Sequence, residues 1–168
     1  LLLTGCSLDS DDTNATAESS EVVESTPLVE PTSTPKSEMK IPADPGVVDN
    51  PLPVFSSTTL DGQSVTQANF KGKPTIMWFW APWCSVCRVE APTLAKVADQ
   101  LDGTVDVIGV AALGSVDEMN TFVSDTGIEN FSQLADPDAK VWSVFGVASQ
   151  PAFAFISADG TVEVVQGS

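Results

Sequence analysis

The sequence predicts an α/β protein of three layers, a central mixed sheet flanked by helices, with an N-terminal hairpin and a disordered N-terminal tail. Three observations predict it. Residues 74–80 (PTIMWFW) form an almost continuous apolar run of strand formers, the mark of a strand covered on both faces. Segments of strand and helix character alternate after it. The last two flank Ala158-Asp159-Gly160, a turn that favours an antiparallel hairpin at the sheet's edge.

The elements follow in order. Leu52, Val54 and Phe55 open a strand, Leu60-Asp61-Gly62-Gln63 supplies turn chemistry, and Ser64-Val65 leads back, so a hairpin is expected first. After the central strand, a helix is expected from Cys84 to about Leu101, with Val86, Val89, Leu94, Val97, Ala98 and Leu101 as its apolar stripe and Gly103 ending it. Residues 105–113 (VDVIGVAAL) read as a second buried strand. Residues 116–126 read as a helix closed by Gly127, and 138–145 as a further helix closed by Gly146. On that helix Trp142 lies with Val141, Val144 and Phe145 and reads as core. Residues 152–156 and 161–165 form the closing hairpin. The expected order is therefore strand, helix, strand, helix, helix, hairpin.

Composition narrows the chemistry. The chain has 168 residues and a formal charge of −16, with only seven Lys and Arg, so the basic footprint that nucleic acid requires is missing. Histidine is absent, which excludes Ser/His and Cys/His catalysis and imidazole metal sites. Residues 7–50 are Ser, Thr, Glu, Asp and Pro with few large apolar side chains, too few to offset the entropy of ordering, and read as a disordered acidic linker. As a coil this linker reaches roughly 35 to 40 Å. Three regions are thus expected: 1–6, an apolar end ahead of the tail; 7–50, the linker; and 51–168, the folded domain.

Cys84 and Cys87 are the chief chemical signal. They stand three residues apart where a buried strand gives way to a helix, which puts both side chains on one face with Cβ atoms roughly 5 to 6 Å apart, near disulfide reach. At a helix N-terminus free N–H groups and the macrodipole favour the thiolate of Cys84, making it the nucleophile and Cys87 the deeper, resolving partner. Two plainer readings compete. Half of a zinc site lacks its second ligand pair, and no metal is expected. A purely structural disulfide across so short a loop would restrict the unfolded chain little. Glu90, three residues beyond Cys87 on the same face, is a candidate to take or return a proton during exchange, against the alternative of a solvated surface glutamate.

Residues 78–87 (WFWAPWCSVC) resemble the active-site segment of thioredoxin-like proteins, and Glu90-Ala91-Pro92 is similar to the ExP that follows the cysteines in the extracytoplasmic TlpA, ResA and DsbE branch. The resemblance covers about residues 51–168. It implies a thioredoxin-like fold, a redox-active Cys84–Cys87 disulfide with no other cofactor, and a cis proline at Gln150-Pro151. It also implies that Trp83 packs beside the site, and that the Gln150-Pro151 loop lies against the disulfide and pairs with substrate backbone. A closing helix after the last hairpin is implied as well; the sequence ends at Ser168 without it and reads as a fragment.

Leu3-Thr4-Gly5-Cys6 resembles a bacterial lipobox, which implies a signal peptide ending before Cys6, a diacylglyceryl anchor on the Cys6 thiol, and a place on the outer face of the cytoplasmic membrane. The function so implied is an extracytoplasmic thiol-disulfide oxidoreductase, a monomer, acting on cysteine-containing exported proteins and recharged by a membrane redox partner. Two alternatives stand beside it: a dedicated reductase of apocytochrome c thiols, and a surface binding lipoprotein that uses its cysteines little. Copper-delivery proteins and peroxiredoxins share the fold, but neither the CxxxC with histidine of the first nor the lone peroxidatic cysteine of the second is present.

Overall fold

A computed structural model describes residues 50–167. The lipobox at Cys6, the signal segment 1–6 and all but the last residue of the linker 7–50 lie outside the described residues.

The first hairpin forms as β1 (Ser56–Thr59) and β2 (Ser64–Thr66), paired antiparallel with Ser57 opposite Val65. It starts later than expected. Leu52 instead donates its N–H to Gly160 and Pro51 bridges Thr161, so that stretch packs against the far edge of the sheet. A 3₁₀ turn, Gln67–Phe70, follows β2, and then come β3 (Thr75–Trp80), α1 (Ser85–Leu101), β4 (Asp106–Ala112) and α2 (Val116–Thr126). Gly127 ends α2 in the left-handed conformation at φ 69°, which glycine adopts without a Cβ penalty.

β5 (Ser132–Asp136) was not among the expected elements. It pairs parallel with β4 and antiparallel with β1, and so joins the first hairpin to the rest of the sheet. α3 (Lys140–Val144) is shorter than expected, because Asp136 Oδ1 and Oδ2 accept the N–H groups of Lys140 and Trp142 and hold its start two residues later. Trp142 is core and donates its indole N–H to Val110, whereas Val144 is exposed. β6 (Ala152–Ile156) and β7 (Val162–Gln166) make the closing hairpin.

The strand order is β2-β1-β5-β4-β3-β6-β7, mixed, with β3 parallel to β4 and antiparallel to β6. β3 is central, and its alternation feeds two cores. Met77 and Phe79 point into one with Phe55, Val110, Trp142 and Ile156; Trp78 and Trp80 point into the other with Leu94, Met119, Phe122 and Ile128. Each of these buried large side chains contributes roughly 1.5 to 3 kcal/mol by leaving water.

The inward face of α1 differs from the expected stripe. Cys87, Ala91, Leu94 and Ala98 are buried, while Val86 and Val89 are exposed. Leu94 and Ala98 are buried as expected, and the small Cys87 and Ala91 take the inward positions of the first turns, where they pack in one cluster with Trp78 and Trp80.

Candidate active site

Three chain segments meet at one end of the sheet, and the strand register brings them there. β3 ends at Trp80 and passes through Ala81-Pro82-Trp83 into α1; β4 lies parallel to it with Ala111 opposite Trp80, so the turn after β4 emerges alongside. β6 runs the other way with Ala152 opposite Phe79, which sets Gln150-Pro151 at the same end. A site outside the carboxyl ends of parallel strands follows from this topology.

Cys84 and Cys87 are joined in a disulfide with Cα atoms 5.3 Å apart. Cys84 is the N-cap of α1, and its Sγ accepts the backbone N–H of Cys87 at 3.1 Å. That contact puts a helix-end donor directly on the sulfur, where it stabilises negative charge if the bond opens. Cys84 is 6% exposed and Cys87 fully buried, so an incoming sulfur meets Cys84 first.

Trp83 is 62% exposed and its indole Nε1–H donates to the Leu113 carbonyl at 2.9 Å. Glu90 is half-buried one turn past Cys87; among the described residues nothing hydrogen-bonds to its Oε2, although that atom is shielded from solvent. A carboxylate oxygen in that state is open to a proton or a water molecule. The Gln150–Pro151 peptide is cis, Pro151 is buried and Gln150 half-buried. β7 ends against this loop: a Cβ built on Gly167 would lie 1.9 Å from the Pro151 carbonyl oxygen, so only glycine fits there.

Other residues at this end were not among the expected site residues. Arg88 lays its guanidinium 4.8 Å over the Phe122 ring and reaches Asp125 at 3.3 Å, tying α1 to α2. Leu113 has a left-handed backbone, φ 59°. Ser115 and Glu118 form a capping box at the start of α2, and the Ser115-x-x-Glu118 spacing was a readable sign of it. Hydrogen bonds from the Ser115 backbone, then its hydroxyl, hold the Glu118 carboxyl below the usual carboxylate range. Among the described residues no group of three His, Cys, Asp or Glu is placed to hold a metal, and no helix is long and apolar enough to cross a membrane.

The arrangement is similar to known proteins. The model of the AhpC/TSA family matches residues 48–165. The soluble secreted antigen MPT53 of Mycobacterium tuberculosis is 43% identical over 107 residues, covering 64% of this chain and 61% of that protein. The thiol:disulfide interchange protein DsbE of Pseudomonas fluorescens is 33% identical over 125 residues, covering 69% of this chain and 64% of that protein. Among solved structures, that of MTB dsbF in its mixed oxidized and reduced forms is 46% identical, with a TM-score of 0.65, and covers 67% of this chain and 84% of that one. The chain therefore spans a little over three fifths of the length of the curated relatives it matches.

Proposed function

This chain belongs to the AhpC/TSA family and has the thioredoxin-like fold of its relatives, and from that premise we propose that it is a thiol-disulfide oxidoreductase working through Cys84 and Cys87. The observation that carries the reading is the Cys84–Cys87 disulfide at the first turn of α1, with the Cys84 sulfur hydrogen-bonded to a helix-end N–H and Cys87 buried behind it. The relatives' names support it. The family's name differs from that of the branch the sequence resembles, but one relative carries the name DsbE, which is a name of that branch.

In the reductive direction the Cys84 thiolate attacks one sulfur of a substrate disulfide, that S–S bond breaks, and the second substrate sulfur leaves with the electron pair. Cys87 then gives its proton to Glu90 and attacks the Cys84 sulfur; the mixed disulfide breaks and the Cys84–Cys87 bond reforms. Two electrons have passed to the substrate, whose two sulfurs leave as thiolates and become a dithiol by taking one proton back from Glu90 and one from solvent. In the oxidative direction every step reverses. In this reading Trp83, next to Cys84 in sequence, walls one side of the reacting sulfurs, and the Gln150-Pro151 loop, at the same end of the sheet, pairs with an extended substrate segment.

The substrates proposed are cysteine-containing exported proteins, with a membrane redox partner restoring the pair. The secreted MPT53 supports a place outside the cytoplasm, and the lipobox-like Leu3-Thr4-Gly5-Cys6 supports anchoring through Cys6. The deciding experiment is a redox titration of the Cys84–Cys87 pair against glutathione or dithiothreitol. A reversible two-electron transition is expected; a potential above about −180 mV marks a disulfide donor and one below about −250 mV a reductant. Absence of any reversible transition overturns the reading.

A further inference from the structure

Two positions after β4 are occupied in a way that local backbone preference does not explain. Leu113 sits at φ 59°, a conformation that a leucine adopts only under constraint, while its neighbour Gly114 does not use the left-handed region that glycine tolerates freely. Exchanging the two residues would relieve the leucine, but it is barred: a Cβ at position 114 would come within 2.8 Å of Pro82 Cγ. The left-handed turn therefore falls to Leu113, and its outcome is visible. The turn aims the Leu113 carbonyl at the Trp83 indole N–H, 2.9 Å away. Ser115, two residues on, is fixed by the capping box, so the carbonyl is held from both sides.

We propose that Leu113 is a positioning residue: its left-handed backbone latches the Trp83 indole beside Cys84, so that the substrate meets a fixed aromatic wall. The inference rests on the exchange reading of Cys84 and Cys87. Without the latch, Trp83 is an exposed side chain free to change rotamer, and a wall that must be ordered on binding weakens binding. The effect is on capture of substrate and not on the sulfur chemistry.

The full chain provides a direct readout, because Trp78, Trp80 and Trp142 are buried and iodide quenching of tryptophan emission reports Trp83. Leu113→Ile keeps the volume and polarity but is β-branched, which makes the left-handed turn harder to hold. Its iodide quenching constant is expected to rise about twofold. Its KM for a peptide disulfide with phenylalanine beside the cysteine should rise about fivefold, with kcat changed by less than about twofold. Leu113→Gly adopts the turn freely and is the conservative rescue, with quenching and KM near wild type and a melting temperature no lower than wild type. Wild-type quenching and KM in Leu113→Ile overturn the proposal, and so does a Leu113→Gly protein as impaired as Leu113→Ile. Failure of the exchange reading is seen separately, as a wild-type protein that dithiothreitol does not reversibly reduce; the quenching comparison still decides whether Leu113 holds Trp83.

Discussion

The indole Nε1–H of Trp80 donates to Oε1 of Gln133 at 3.0 Å inside the protein, and Gln133 Nε2 donates in turn to the carbonyls of Ile128 and Phe131. This side chain satisfies an indole beneath the cysteines and ties the loop before β5 to the sheet. Gln133→Leu leaves the Trp80 donor and two carbonyls short of partners, and should lower stability by about 3 kcal/mol in denaturant unfolding. Gly109→Ala attacks the same contact from β4, since its Cβ would fall 1.7 Å from Gln133 Oε1; a loss of roughly 2 kcal/mol is expected.

Cys84→Ser should abolish exchange, since it removes the sulfur that an incoming group reaches first. Cys87→Ser should leave attack possible but block resolution. Incubation with a peptide disulfide then gives a stable mixed adduct, read by mass spectrometry and released by dithiothreitol. An adduct on Cys87 of the Cys84→Ser protein, formed at the same rate, would contradict the assigned order.

Glu90→Gln removes the carboxylate from a position where one oxygen is shielded and, among the described residues, unpartnered. If Glu90 carries the proton of the resolving step, exchange should slow by about 10²-fold and its dependence on pH should change shape. A solvated surface role predicts neither change, so stopped-flow rates across roughly pH 5 to 9, which spans thiol titration, distinguish the two.

Glu118 has its carboxyl held below the usual value by hydrogen bonds from Ser115, backbone first and hydroxyl second. A depressed folded-state value means that the stabilisation is present above the unfolded value, near 4.5, and is lost as pH falls through the folded one. Ser115→Ala should cost about 1 kcal/mol at neutral pH through the lost cap. It should also flatten the fall in stability below about pH 4.5, as followed by thermal melts across that range.

Much of the fold was legible in the sequence because β3 and β4 are nearly continuous apolar runs and α2 carries its own stop in Gly127. β5 was not, and its residues say why. Gln133 and Asp136 are buried polar side chains whose partners, Trp80 and the start of α3, lie outside the five-residue segment itself. A segment of Ser, Gln and Asp reads as a loop until those partners are known. The stripe on α1 was right in its middle, at Leu94 and Ala98, and wrong at its start: Val86 and Val89 lie on the outward side, and Cys87 and Ala91 face inward over the two tryptophans of β3. In the site, the cysteine spacing was readable locally, whereas the Leu113 carbonyl that holds Trp83 depends on a backbone angle to which no residue pattern points.

The two cores on opposite sides of β3 differ in what they carry. Cys84 and Cys87 belong to the cluster with Trp78 and Trp80, while Phe55, Met77, Phe79, Val141 and Trp142 pack in the other, which holds no cysteine among the described residues. The sheet is thus a partition between a face under chemical constraint and a face under packing constraint alone. Substitutions on the second face can drift, repack and reset thermal tolerance without disturbing the first, which gives the lineage a way to adapt to temperature while its redox chemistry stays fixed.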